Sequence, residues 1–285
     1  MRTVKITALG TMVVFAAVLM FSACKRDKTN NVTTTTTDED TYYAEDQARM
    51  DQTYDDAQNI GDQAFVNGSV ELKGGDDDNI LGGGCATITH DTTTTPRTIT
   101  INFGTTNCTC KDGRARRGKI IISYTGKYRD SGSVHSISFD GYHVNDNAVL
   151  GGRTVTNMGK NSSGQSYFNI SVNGMIILTT GDTISHVASR VRTWTAGEST
   201  LALSDDVYSI TGSGTNTRRS GKVVNYSINI PLVVALNCRW IEQGSIDFTP
   251  SGATSVKRTI DFGSGSCDDQ ATVTVGTKSK TITLR

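Results

Sequence analysis

From about Cys85 onward, apolar and polar residues alternate with a period of two, the pattern typical of half-buried β-strands. Residues 98–103 read Thr-Ile-Thr-Ile-Asn-Phe, and residues 245–248 repeat the alternation. The pattern predicts about 13 strands. They fall near residues 85–90, 97–103, 119–128, 133–144, 147–157, 166–178, 184–194, 206–216, 223–234, 238–248, 255–262, 271–275 and 280–284.

Short links rich in turn residues join these strands, for example Asp130-Ser131-Gly132. Such links favour hairpins between consecutive antiparallel strands. An open sheet rarely grows past about ten strands without curling or splitting. We therefore predict a mainly β fold, in which a long antiparallel meander closes into a barrel, a half-barrel or a two-layer sandwich.

A different period precedes the strands. Tyr43, Met50, Tyr54 and Ala57 recur at helical spacing, and acidic residues collect at the start of this segment, where the helix dipole favours them. The pattern predicts one short amphipathic helix over residues 41–62, followed by an all-β domain over residues 63–285.

The N-terminus has the organisation of an export signal. Arg2 and Lys5 precede an apolar stretch over residues 6–21, and Ser22-Ala23-Cys24 follows it. This arrangement resembles the lipobox of bacterial lipoproteins, which implies cleavage before Cys24 and acyl chains such as palmitate on that cysteine. An ordinary signal peptide and a membrane-spanning helix are the alternatives, although the apolar run is close to the lower limit of about 17 residues for a span.

On the lipoprotein interpretation, residues 1–23 are the signal peptide and residues 24–40 a lipid-anchored tether. The tether is polar and includes five consecutive threonines, so it cannot bury a core and is expected to be flexible. Two or three acyl chains would hold the protein on a membrane, since each buried CH₂ contributes about 0.8 kcal/mol.

Charge argues against one class of partner. The chain has 28 basic and 28 acidic residues, and it stays close to neutral when Arg2 and Lys5 are removed with the signal peptide. Because proteins that neutralise phosphates are normally basic, we expect no nucleic acid partner.

The chain has six cysteines, and five of them follow Cys24: Cys85, Cys108, Cys110, Cys238 and Cys267. In an oxidising compartment they should pair where geometry permits. Residues 85–108 and 238–267 each contain two alternating runs with a cysteine at either end. We predict that Cys238 pairs with Cys267 across a bulge near residues 263–265, and that Cys85 pairs with Cys108 or Cys110.

One basic segment has the spacing of a phosphate-binding loop. Residues 113–119 match GxxxxGK, but Ile120 stands where Ser or Thr should follow, and the segment leads into a strand instead of a helix. We therefore expect a basic hairpin loop that could contact anionic lipid or polysaccharide. Its cations, expected in solvent, are Lys111, Arg114, Arg116 and Arg117.

The sequence predicts no catalytic residue, no metal site and no cofactor. The histidines His90, His135, His143 and His186 are scattered over different segments without the paired spacing of zinc ligands. The acidic turn at residues 76–79 lacks the spacing of a calcium loop, and the GxSxG motif of serine hydrolases is absent.

Aromatic residues on strands usually belong to the core or to cross-strand pairs, and a sugar or lipid pocket is the alternative role. This expectation covers Trp194, Trp240, Tyr124, Tyr128, Tyr142 and Tyr167.

The lipobox, the tether, the glycine-punctuated β body and the segments Cys238-Arg239-Trp240 and 261–267 resemble uncharacterised outer-membrane lipoproteins common in Bacteroidota. The resemblance implies a place in the cell envelope, at the outer membrane, and a style of fold, but no activity. We expect a non-enzymatic binding or structural module whose partner is an envelope protein, a polysaccharide or a lipid. The alternatives are a carrier of lipid or another hydrophobic ligand on a curved sheet, and an enzyme acting on envelope polysaccharide.

Overall fold

The computed structural model describes residues 38–69, 84–253 and 256–284. The predicted signal peptide, Cys24, most of the tether and the acidic turn at residues 76–79 lie outside the described residues. Within these residues, no helix combines the length and apolar character needed to cross a membrane.

The described strands form one antiparallel sheet in which sequence neighbours pair, and this confirms the predicted meander. The order is β1-β2-β4 through to β14, with the two-residue β3 paired to β4. The strands are β1 (Thr87–Asp91), β2 (Arg97–Asn102), β3 (Cys108–Thr109), β4 (Ala115–Tyr124), β5 (Val134–Val144), β6 (Asn147–Lys160), β7 (Ser166–Ile177), β8 (Thr183–Ala196), β9 (Val207–Arg218), β10 (Val223–Ala235), β11 (Gln243–Pro250), β12 (Arg258–Ser264), β13 (Gln270–Val275) and β14 (Lys278–Thr283).

The sheet is a single layer that is not closed into a barrel, since β1 and β14 each pair with one strand only. It is nevertheless strongly curved. The Arg239 guanidinium, just after β10, donates a hydrogen bond of 3.0 Å to the carbonyl of Asp112, just before β4. In a flat sheet these strands would lie about 29 Å apart, at about 4.8 Å per strand. Of the three predicted closures, the half-barrel describes this sheet.

The described residues contain one helix, α1 (Asp38–Ser69), which lies against the concave face of the sheet. Its 32 residues make it about 48 Å long, well beyond the short helix predicted over residues 41–62. Its N-terminal part packs on the C-terminal strands, where the Tyr226 hydroxyl donates to the carbonyl of Tyr43 at 2.9 Å. Further along, the ring of Phe65 lies 4.8 Å from that of Tyr124 on β4. The helix therefore crosses most of the strands.

Glycines allow the helix to approach the sheet closely. A Cβ atom added to Gly174, in the middle of β7, would lie 1.7 Å from the Tyr54 hydroxyl oxygen. That hydroxyl donates a hydrogen bond of 2.7 Å to the carbonyl of Leu150 on β6. On the helix, a Cβ atom at Gly61 would come within 2.6 Å of Ile122 on β4. A larger residue at Gly174 would collide with the Tyr54 ring, whereas at Gly61 the end of the Ile122 side chain would have to shift.

Aspartates on α1 pair with arginines that point inward from the strands. Ion pairs as well as apolar contacts therefore hold the helix on the sheet. The pairs are Asp40–Arg258, Asp46–Arg218, Asp51–Arg190, Asp55–Arg153, Asp56–Arg116 and Asp62–Arg192. Arginines from β4, β6, β8, β9 and β12 thus reach one helix. Such pairing is what allows charged groups to be buried, because an isolated buried charge is very costly.

This pairing reverses the usual polarity of strand β8. His186, Arg190 and Arg192 are buried against the helix, whereas Val187 and Val191 face solvent. Because the helix presents carboxylates, the strand buries cations on its inner face and leaves aliphatic residues outside.

The predicted solvent exposure of Arg114 and Arg116 is wrong. Arg116 is fully buried and bridges the carboxylates of Asp56 and Asp112, at 2.8 and 2.5 Å. Arg114 is 6% exposed and lies 3.3 Å from Asp56. Only Lys111 and Arg117 of this group keep contact with water, so the basic segment is mainly a structural anchor for α1.

Both predicted cysteine hairpins are present. Cys85 and Cys108 lie at disulfide distance beside the β1–β2 hairpin, and Cys238 and Cys267 beside the β11–β12 hairpin, with Cα separations of 5.6 and 5.8 Å. Of the two partners left open for Cys85, the structure selects Cys108, and Cys110 is a buried free thiol. The predicted bulge is also present, because the β11–β12 register shifts between the pairs Gln243–Ser264 and Ser245–Asp261.

We predict that Arg116→Met lowers the free energy of unfolding by about 3–5 kcal/mol, because it leaves two buried carboxylates without their shared cation. Urea denaturation measures this change. Lys119→Met, on the same strand, is the matched control: Lys119 pairs with Asp140 in solvent, and its loss should cost less than about 1 kcal/mol. Equal losses for the two variants would show that the Arg116 pairs do not hold the helix.

Candidate functional site

A groove beside α1 is the main cavity of the described residues, with a volume of about 350 Å³. One face of the helix forms its floor, with residues spaced at one turn. The turn between β3 and β4 forms one wall, and the loop between β10 and β11 forms the other. The curvature of the sheet creates the groove, because it brings these two distant connections together.

The floor offers uncharged amides beside carboxylates that are already paired. Gln52, Asn59 and Gln63 line the groove from the helix, together with Asp55 and Asp56. Both aspartates form ion pairs with arginines, Arg153 for Asp55 and Arg116 for Asp56. The groove therefore presents amide donors and acceptors to a ligand, while its helical carboxylates remain engaged with the fold.

The wall from the β3–β4 turn is organised by Arg116. Burial alone would lower the pKa of Arg116, but the charge of Asp56 and the hydrogen bond that Arg116 donates to Asp112 hold it above its ordinary value. For Asp112, burial would raise the pKa, but the hydrogen bond and charge of Arg116 more than offset this and the pKa lies below its ordinary value. Asp112 is therefore an ionised structural group that orients the turn carrying Lys111 and Arg114.

The opposite wall carries an aromatic side chain with a cation on its face. The Arg239 guanidinium lies 4.3 Å from the ring centroid of Trp240, a cation–π contact. The Cys238–Cys267 disulfide lies directly beside both residues and ties their loop to the segment after β12. Trp240 is half-buried and also packs against the apolar cluster beneath the C-terminal strands. The indole is thus held at the edge of the groove by contacts on several sides.

The structure separates Trp240 from the other aromatic residues considered for a ligand pocket. Trp194, Tyr124 and Tyr142 are buried in the core, as expected for strand aromatics. The Tyr128 ring stacks on that of Phe168 at 4.6 Å. Of the aromatic residues considered, Trp240 is the one that lines the groove.

Two of the four histidines are buried beneath α1, and the structure brings no pair of them together as ligands. His186 joins a network with the helix: its Nδ1 donates to Asn216 at 2.5 Å, and the Asn216 amide donates to Gln47 at 3.1 Å. Asp51 completes the network, accepting from Gln47 at 2.6 Å and lying 3.9 Å from the His186 ring. His135 donates to the carbonyl of Gly126 at 2.9 Å.

One trio of possible metal ligands occurs in the described parts of the chain: Cys238, Glu242 and Cys267. The two sulfur atoms are at bonding distance from each other, whereas a metal needs the thiolate form. That leaves the Glu242 carboxylate as the one possible ligand of the trio, and a zinc site needs three or four. The trio is accordingly a disulfide with an acidic neighbour.

Sequence reasoning identified Trp240 as a possible pocket residue but missed the groove as a whole. Its residues come from five separate stretches of the chain, and only the curvature of the sheet brings them together. The segment Cys238-Arg239-Trp240 carried a usable signal, because a disulfide fixes an aromatic and a cation in a short loop. The polar stripe at positions 52, 55, 56, 59 and 63 on the helix was the second signal.

Comparison with family models, curated proteins and solved structures gives no match for this chain. No ligand or activity therefore comes from likeness to another protein, and the function must be inferred from the groove itself.

We predict that His135 and His186 lose their protons at a lower pH than an ordinary imidazole does. Burial is the main cause that lowers the pKa of each below its ordinary value of about 6.5. The unfolded chain binds a proton on each histidine more readily than the folded protein does. The stability that the two neutral histidines contribute is therefore present above about pH 6.5 and is lost as the pH falls through the folded-state pKa.

A pH titration of the ¹⁵N-labelled imidazoles by NMR measures both groups, with signals assigned through His135→Asn and His186→Asn. The same chain in urea is the control and should titrate near 6.5. A midpoint at or above 6.5 for either histidine in the folded protein would contradict the prediction.

Proposed function

We propose that the protein is a non-enzymatic binding module of the cell envelope, anchored in the outer membrane through a lipid on Cys24, and that it binds polysaccharide in the groove beside α1. The groove is the observation that carries this proposal. It combines a fixed indole, uncharged amides and a volume of about 350 Å³, enough for a short saccharide segment.

The chemistry of the lining suits a sugar. Trp240 offers an apolar face on which the C–H groups of a sugar ring can pack. Gln52, Asn59 and Gln63 each offer one carbonyl acceptor and two N–H donors, which match the hydroxyl groups of a saccharide. A protein or lipid partner would use these amides less fully than a sugar does.

The proposal assigns binding and no reaction because the acidic groups are committed elsewhere. A glycosidase needs one carboxyl group that holds a proton and a second that is ionised. Asp55, Asp56 and Asp112, which line the groove, all form ion pairs with arginine. This arrangement stabilises three carboxylates and supplies no proton donor.

We propose no carrier function for a hydrophobic ligand. A carrier needs an empty apolar surface inside the curved sheet, and α1 lies there with Tyr54, Ile60 and Ala64 fully or almost fully buried. The groove that remains open is lined by charged and amide groups as well as apolar ones. These observations favour a polar ligand.

For the anchor, we predict that cells fed an alkyne analogue of palmitate label the wild-type protein and that Cys24→Ser abolishes the label. The lipid is attached to the Cys24 thiol, so a protein without that thiol carries no lipid. It should therefore leave the detergent-soluble membrane fraction. Cys110→Ser is the control, since it removes another free thiol, and it should remain labelled. Label retained in Cys24→Ser would contradict the lipobox interpretation.

For the groove, we predict that envelope polysaccharide fragments from the producing cells change the tryptophan fluorescence of the full chain purified in detergent. The protein has two tryptophans, one in the groove and one in the core, so the signal can be assigned. The change should persist in Trp194→Phe and disappear in Trp240→Phe, with circular dichroism confirming that both variants are folded. Absence of any change in the wild type, or its persistence in Trp240→Phe, would contradict binding at this groove.

A further inference from the structure

Ion pairing around the groove leaves two of its cations without a partner. Three carboxylates line it, and the arginines Arg114, Arg116 and Arg153 contact them. Two cations of the lining remain, Lys111 and Arg239. Within the described residues neither forms an ion pair, although Arg239 donates to the Asp112 carbonyl. Both cations are therefore available to an anionic group of a ligand.

Arg239 has a fixed position but forms no ion pair within the described residues. Burial and the positive charge of Arg114 lower the pKa of Arg239 below its ordinary value, and the more distant carboxylates of Asp112 and Asp56 offset this only in part. Its guanidinium is fixed in place by the Trp240 ring and by the Asp112 carbonyl. A cation that is positioned yet left without a counter-charge is suited to receive an anionic group from a ligand.

An unpaired acceptor lies in the same groove. The side-chain oxygen of Gln63 is buried and has no hydrogen-bond partner in the described structure. Buried polar atoms are normally hydrogen-bonded, so we expect this oxygen to accept a hydrogen bond from a ligand group such as a hydroxyl. Arg239 thus has no ion-pair partner and Gln63 has no hydrogen-bond donor, and an acidic sugar carries both an anionic group and hydroxyl groups.

We infer that the ligand of this groove is an acidic saccharide, whose carboxylate or phosphate group is bound by Arg239 and Lys111. The sugar ring packs on Trp240, and a hydroxyl of the ligand donates to Gln63. The inference rests on the proposed function, since it specifies which polysaccharide the groove accepts. It adds that charge, and not sugar shape alone, determines the choice of ligand.

The test compares two probes that share one sugar backbone, tetragalacturonate, which is anionic, and its full methyl ester, which is neutral. Isothermal titration calorimetry on the full chain in detergent measures both affinities at low and at moderate salt. We expect the charged probe to bind at least about tenfold more tightly, because its carboxylates can form charge-assisted hydrogen bonds with Arg239 and Lys111. The preference should shrink as salt rises, since Arg239 and Lys111 face solvent. Galactose 6-phosphate, compared with galactose, tests whether phosphate serves in place of carboxylate.

Variants at the rim assign the preference to the two cations. Arg239→Gln and Lys111→Gln should each reduce binding of tetragalacturonate by at least about fivefold and reduce binding of the methyl ester by a clearly smaller factor. Arg239→Lys keeps the charge and should retain part of the preference. Lys278→Gln, at the exposed edge strand β14, removes one cation away from the groove and should have no effect.

The outcomes separate this inference from the proposed function. Equal binding of both probes, or equal effects of Arg239→Gln and Lys278→Gln, would overturn the acidic ligand and leave a groove that binds neutral sugar. Failure of both probes and of the envelope polysaccharide to bind would overturn the proposed function as well. A preference that is lost with Arg239 and Lys111 would support the inference.

Discussion

The pairing of aspartates on α1 with inward-pointing arginines is the interaction on which the structure depends. The helix buries apolar side chains such as Met50, Tyr54 and Ile60, but it also carries a row of aspartates toward the sheet. Several strands present guanidinium groups to it where a β-sheet usually presents aliphatic ones. Neither part could bury that face alone, because unpaired charges are too costly to remove from water. We therefore expect the helix and the sheet to fold as one unit. The matching charges along the helix determine where it docks on the sheet.

The same constraint determines the geometry of the groove. Strands at both ends of the meander contact one helix, so the sheet has to curve around it. The curvature brings the β3–β4 turn to the β10–β11 loop, where Arg239 meets the carbonyl of Asp112. Arg116 holds that turn from below, and the Cys238–Cys267 disulfide holds the opposite loop. A binding site on connecting loops is thereby fixed by buried charge on one side and by a covalent bond on the other.

Much of the fold could be predicted from the sequence, because strand alternation and turn residues are local signals. The meander, most strand positions and the two cysteine hairpins follow from them. The inner face of β8 could not be predicted in this way. A period-two pattern normally places Val187 and Val191 inside, yet Arg190 and Arg192 are buried because their partners lie more than a hundred residues away on α1.

The candidate site was predicted only in part, for a related reason. Trp240 and its neighbouring cysteine stand out in the sequence, but their meeting with Lys111 and with the polar stripe of α1 depends on how far the sheet curves. The exposure of Arg114 was misjudged for the same cause: a basic hairpin usually faces solvent, and here it faces an acidic helix. Local patterns give the elements, whereas the charge pairing between them determines the site.

Hydrogen–deuterium exchange of the full chain tests most directly whether α1 belongs to the core. Helix and sheet folding as one unit predicts that the amides of residues 43–64 exchange as slowly as those of β6 to β9, and only through global unfolding. Exchange of the helix at a much lower opening free energy, with the strands still protected, would contradict the account and show a helix that docks on a separately stable sheet.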